Sequence, residues 1–306
     1  MGDRRIGHLV RAVVVGASSL FGAIAPLAAS PARAAGEISA HFVPGPLPPL
    51  RPELRPMTSL SKSADVSVTY SYNWSGYAQL GSKGLYTSVT DTWTVPRLVA
   101  GGPNPAYSAD WVGIGGFALS DKTLVQAGTE VDDVNGSAEV YAWTEVLPAA
   151  EKVLTLAVHQ GDSITTTVEK ITASGDWLME VHDDTTDQSE YTLSDKRSSG
   201  RSVEAVHEAT SVGHSIGPLA KTTDVTFAPG TFTSSESSGD QPLLSPAVET
   251  TKLKRHDTVE RTATVYEMIM ESQSTGAVEA TPSPPDVDGQ GFTVAYGSTA
   301  PPSPAS

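Results

Sequence analysis

The chain has 306 residues, no cysteine and a formal net charge of −15. Without cysteine there are no disulfides, thiolate metal sites or cysteine nucleophiles, so stability must come from a buried core. The acidic balance leaves no basic face of the kind nucleic acid needs, and because residues 1–34 hold four Arg and one Asp, the remainder carries −18.

Residues 1–34 read as an export signal. Arg4, Arg5 and Arg11 precede a mostly apolar stretch from Ala12 to Ala28, and Ala32, Arg33 and Ala34 form an A-x-A-like cleavage site. Gly16, Ser18, Ser19 and Gly22 interrupt the stretch, which is short for a full membrane span. Arg4 and Arg5 add a weak twin-arginine feature. The expectation is a secreted protein, monomeric and without membrane contact once the signal is removed. Residues 35–66, including PGPLPPLRPELRP, are rich in Pro and lack apolar periodicity, as in a propeptide or linker.

From residue 67 to 296 the chain reads as one all-β domain. Val, Thr and Tyr alternate with polar residues in Ser67–Tyr72, Ser88–Val95, Val153–Val158, Ser163–Ile171, Trp177–Asp183 and Glu190–Leu193, with turn residues between them. Ser202–Ala209 is the one segment that also fits a short helix. Thr262–Met270 and Gly291–Tyr296 read as closing strands, and residues 297–306 as a Pro, Ser and Ala tail. Short strands joined by tight turns predict an antiparallel two-sheet β-sandwich, a concanavalin-like jelly roll.

One hairpin can be placed residue by residue. Asn135-Gly136 signals a two-residue turn. If Val134 pairs with Ser137, then Gln126 opposes Glu145, Gly128 opposes Trp143 and Glu130 opposes Tyr141, all on one face because side chains alternate. An amide, two carboxylates and two aromatics then share a patch. Strands normally avoid Gln and Glu, so such a patch looks into water or into a site.

Hydrolysing a peptide bond without a metal or covalent nucleophile needs a base for water, a donor for the oxyanion and an acid for the leaving amine. A carboxylate serves as base and then as acid, and a Gln amide is a donor whose charge does not change with pH. Four blocks supply such groups: Asn73-Trp74-Ser75-Gly76, Asp110-Trp111-Val112-Gly113-Ile114, Leu124-Val125-Gln126-Ala127-Gly128 and Val203-Glu204-Ala205-Val206-His207-Glu208. In order and spacing they resemble the glutamic peptidases, or eqolisins. That resemblance spans about Asn73 to Glu208, with weaker continuation to Tyr296. It implies a secreted acid endopeptidase acting on polypeptides, with Gln126 and Glu208 catalytic, Trp74, Trp111 and Trp143 as substrate walls, and Glu145 beside the pair. Glu130 and Tyr141 complete the substrate patch. The chain departs from the family at Ala205, where an aromatic residue is usual, at His207, and at Gly115, where the family has Asp. Glu204 and Glu208 share a strand face by alternation and compete for the role of base.

Other signals are weaker. Gly213-His214-Ser215-Ile216-Gly217 spells the nucleophile-elbow pattern, which requires a strand, turn and helix in a parallel sheet, and here reads as a Gly-rich turn. His182, Asp183 and Asp184 are adjacent on a strand end and do not converge as metal ligands do, so neither metal nor cofactor is expected. Rival readings are a carbohydrate-binding sandwich and a glycosidase using Glu145 and Glu208 as its carboxylate pair.

Overall fold

The computed structural model describes residues 66–305 except 119, 214 and 253–257, and omits the side chains of 251 and 252. Residues 1–34, expected to be an export signal, and nearly all of the Pro-rich segment lie outside the described residues. Within them the regular structure is strand throughout, in two large sheets and two small hairpins.

The larger sheet has eleven strands. Along its path run Val225–Phe227, Phe292–Tyr296, Val278–Pro282, Thr264–Glu271, Trp74–Leu80, Ser202–Glu208, Ala109–Ile114, Val125–Val134, Ser137–Val146 and Lys152–Val153. The eleventh, Val66–Ser71, pairs with Thr264–Glu271 in parallel, so the sandwich is not wholly antiparallel. The second sheet runs Gln188–Ser194, Trp177–Asp183, Ser163–Lys170, Tyr86–Thr94, Thr231–Ser234 and Gln241–Pro242.

The main core lies between the sheets. Val203 and Ala205, Val112 and Ile114, and Val125, Ala127 and Val131 point into it from the large sheet, meeting Val89, Trp93, Ile164, Val168 and Val181. Trp93 packs on Phe227 with ring centroids 5.5 Å apart, and Phe227 stacks on Phe292 at 4.9 Å. Such pairs contribute about 0.5–1.5 kcal/mol beyond the area they bury. On the outer face of the large sheet a second cluster forms from Trp74, Trp111, Trp143, Phe117, Leu124, Val206 and Met268. The central strands are therefore buried on both faces, which erases the polar alternation that normally marks a strand. That is why Ser202–Ala209 also fits a helix; the structure makes Ser202–Glu208 a strand.

Two further expectations are corrected. Of the anticipated Val153–Val158 strand only Val153 is in one, the two-residue strand Lys152–Val153. Leu154, Leu156 and Val158 still point inward, but the Glu190 carboxylate accepts the backbone N–H groups of Thr155 and Leu156 at 2.7 and 3.0 Å, replacing a ladder partner. The closing strand is divided at Ala263 into Thr258–Thr262 and Thr264–Glu271. The nucleophile-elbow pattern belongs to a hairpin of Ser211–Val212 and Ser215–Ile216, and no helix follows it among the described residues.

Candidate active site

Pairing across the large sheet lines up its outward residues in rows. Ala78 opposes Glu204, Glu204 opposes Gly113, Gly113 opposes Gln126, and Gln126 opposes Glu145. Gln126 and Glu204 thus flank a residue without a side chain, about 10 Å apart at the backbone across two strand spacings. A Cβ on Gly113 would stand 2.9 Å from Trp111 Cζ3 and 3.2 Å from Gln126 Cβ, so the gap between amide and carboxylate depends on glycine.

The hydrogen bonds along this row are incomplete in an informative way. Gln126 Nε2 donates to Glu145 Oε2 at 2.5 Å. Gln126 Oε1, Glu145 Oε1 and both carboxylate oxygens of Glu204 are buried without a partner. Each such group costs about 1–3 kcal/mol relative to a satisfied one. Burial pushes the Glu204 carboxyl well above its usual range, against the pull of the nearby Ser202 hydroxyl and Phe117 backbone N–H. Burial also raises Glu145 to about 8, with the Gln126 hydrogen bond opposing and the Glu208 charge adding to the shift. Phe117, from the loop after Ala109–Ile114, packs on Tyr266 with ring centroids 5.0 Å apart. Tyr266 opposes Ala78 in the same row, so that loop covers the Glu204 end.

Glu208 stands two rows away, opposite Trp74 and Ala109. Its Oε1 accepts from Asn73 Nδ2 and its Oε2 from Trp111 Nε1, both at 2.7 Å. Burial lifts its pKa to about 7, against the pull of the Trp111, Trp74 and Asn73 donors. Glu204 thus shares the Gln126 row but is fully buried, whereas Glu208, two rows away, is partly exposed and its charge reaches Glu145, which holds the Gln126 amide. The expected substrate walls are also more deeply set than anticipated: Trp74, Trp111 and Trp143 are no more than 4% exposed. Trp74 meets Trp111 edge to face at 5.0 Å. They form the floor of the outer face, fastened through Trp111 to Glu208.

Beyond Trp111 the row of Glu208, Ala109, Glu130 and Tyr141 leads to a carboxyl cluster. Glu130 accepts from Thr210 Oγ1 at 2.8 Å, and Tyr141 donates to Glu151 at 3.4 Å. Burial raises Glu130 well above the carboxylate range, and the charges of Asp132 and Glu151 add to this. Asp132 and Glu151 are each pushed to about 7, again chiefly by burial. Asp132 was detectable in the sequence, being two residues from Glu130 on the same strand face. Glu151 and Thr210 lie outside strands and carried no such signal. Behind the site, His207 Nδ1 and Asp110 Oδ1 are 2.8 Å apart on the core-facing side, which accounts for a polar residue at His207.

Residues 72–276 match the family model of the Peptidase A4 family. Among solved structures the chain is similar to scytalido-glutamic peptidase bound to a transition state analog inhibitor, at 21% identity over 74% of this chain and 98% of that one, with a TM-score of 0.53. A second structure of that enzyme, with a peptide-based transition state analog, matches at 20% identity over the same shares, with a TM-score of 0.51. Aspergilloglutamic peptidase from Aspergillus niger is 22% identical over 62% of this chain and 99% of that one, with a TM-score of 0.43. Comparison with curated protein sequences finds no match.

Proposed function

As the chain belongs to the peptidase A4 family of glutamic peptidases, and so is a peptidase, we propose that it is a secreted acid endopeptidase in which Glu208 is the base and Gln126 the oxyanion donor. The observation that carries this reading is the Glu208 carboxylate, partly exposed on the outer face, oriented by Asn73 Nδ2 and Trp111 Nε1 at 2.7 Å, with its charge reaching the Glu145 that holds Gln126.

Glu208, ionised, takes a proton from water as the water oxygen bonds to the scissile carbonyl carbon. The carbonyl oxygen becomes an oxyanion and accepts a hydrogen bond from Gln126 Nε2. That nitrogen has two N–H donors, and Glu145 holds only one of them, fixing the amide so that the other is free. Protonated Glu208 then returns its proton to the leaving nitrogen as the C–N bond breaks, giving a carboxylic acid and an amine. The Asn73 and Trp111 donors favour the ionised form of Glu208 and offset the effect of burial. Glu145, protonated below about 8, adds no negative charge beside the oxyanion.

The test is cleavage of an unfolded protein at about pH 4, near the reference carboxylate pKa. Glu208→Gln is expected to lose about 10²- to 10⁴-fold in kcat, and Gln126→Ala about 10²- to 10³-fold, while Glu204→Gln keeps most of the activity. Activity retained in Glu208→Gln and lost in Glu204→Gln would move the base to Glu204.

A further inference from the structure

His207 immediately precedes Glu208, and alternation puts the two on opposite faces of one strand: the carboxylate looks outward and the imidazole into the core between the sheets. Register places His207 between Ser75 and Asp110. All three are no more than 3% exposed. Asp110 Oδ1 lies 2.8 Å from His207 Nδ1, and among the described residues no other acid is within ion-pair distance of His207. The next inward residues of the same two strands, Ala205 and Val112, are apolar. Apolar residues of similar volume often match or surpass the stability of a buried ion pair, so stability alone does not account for this one. The row holds the members of a Ser-His-Asp triad, yet it is no second hydrolase. Ser75 Oγ is buried without a hydrogen-bond partner, so nothing activates it and no substrate meets it.

The pair lies directly behind the proposed base. His207 is one residue before Glu208 and Asp110 is one residue before Trp111, and on the outer face Trp111 Nε1 donates to Glu208 Oε2 at 2.7 Å. The two strands are thus joined twice, by a neutral hydrogen bond in front and an ion pair behind. The charged groups around Glu208 divide by face. On the outer face Glu145 and Glu151 feel its charge, but burial raises them to about 8 and about 7, so in acid both are protonated and neutral. Burial lifts Glu208 itself to about 7, and against this act the Trp111, Trp74 and Asn73 donors and, from the core face, the charge of His207. Imidazole is the side chain that gains its charge between neutral and acid medium, and a carboxylate partner makes such a cation tolerable in a core.

We propose that His207, held by Asp110, is a positioning residue for the reaction: through the sheet it supplies the positive charge that keeps Glu208 a base in acid. The inference rests on the reading of Glu208 as the base.

The experiment measures kcat/KM against pH, whose acid limb reports the base of the free enzyme, for the unaltered protein, for His207→Gln and for the double variant His207→Val, Asp110→Val. The Gln variant keeps a donor for Asp110 but no charge. The double variant removes both charges and strands neither, so its folding does not depend on a half-broken pair. The expected result in both is an acid limb displaced upward by about half to one pH unit, which reads as about a three- to tenfold loss on the limb with the plateau above it kept. A limb that stays in place in either variant, or a loss by the same factor at every pH, overturns the proposal. Failure of the base assignment shows separately, as cleavage by Glu208→Gln at the rate of the unaltered protein.

Discussion

Gly113 shapes the site by what it lacks, because it puts no side chain beside Gln126 in the row that crosses the central strands. Gly113→Ala puts a methyl group 2.9 Å from Trp111 Cζ3 and 3.2 Å from Gln126 Cβ. Overpacking of this kind costs about 1–3 kcal/mol. The expected outcome is a folded protein with a lowered melting temperature and cleavage reduced by more than tenfold; unchanged kcat would mean the gap is not used. Glu208 answers to a different measurement. It is the acceptor for both Asn73 and Trp111, so Glu208→Ala strands two donors at the floor of the site. Denaturant unfolding should show a loss of about 1–3 kcal/mol, with Glu208→Gln much milder because the amide oxygen still accepts. Equal stability of Glu208→Ala and the unaltered protein would remove its fastening role.

At the scale of elements, the hairpin of Val125–Val134 and Ser137–Val146 sets the position of half the site. Asn135 and Gly136 both have positive φ, 56° and 80°, the geometry of the two-residue turn that matches strand twist. Asp133 accepts the Gly136 amide at 2.8 Å and Asn104 accepts the Asn135 amide at 3.1 Å, so the turn is also held from outside. A slip of one residue would send Gln126 and Glu130 into the core and Val125 outward. Gly136→Ala is expected to cost about 1 kcal/mol through its left-handed backbone without altering kcat, since nothing lies within 4 Å of the added methyl group. A kinetic effect larger than the stability effect would show that the turn acts on more than register.

At the scale of the whole molecule, pH is the governing variable. Burial raises Glu145 to about 8 and Glu208, Asp132 and Glu151 to about 7, above an unfolded value near 4. Between these limits the folded protein binds more protons than the unfolded chain, so stability falls as pH rises. The contribution of these groups is complete below about pH 4 and is lost through about pH 7 to 8. Melting temperature measured from pH 3 to 8 should therefore decline across the upper half of that range. A maximum at neutral pH would contradict the shared cause of all four shifts.

The hairpin was legible in the sequence because its register is local: one Asn-Gly turn fixes ten opposed pairs, and Gln126 against Glu145 follows. The all-β class was legible for a similar reason, in short alternating runs separated by turn residues. The surroundings that distinguish Glu204 from Glu208 were not. Both stand on the same face of one strand, and the distinction arises only from pairing with Ala109–Ile114, a segment about 90 residues away in the chain. The same holds for Glu151, for Thr210 and for the parallel pairing of Val66–Ser71 with Thr264–Glu271. The sequence by itself determined the chemistry available, an amide and several carboxylates on a sheet, because residue type and alternation are local properties. Only the tertiary structure decided which donors and which neighbours the carboxylates of the Ser202–Glu208 strand meet, because strand neighbours are chosen by long-range packing.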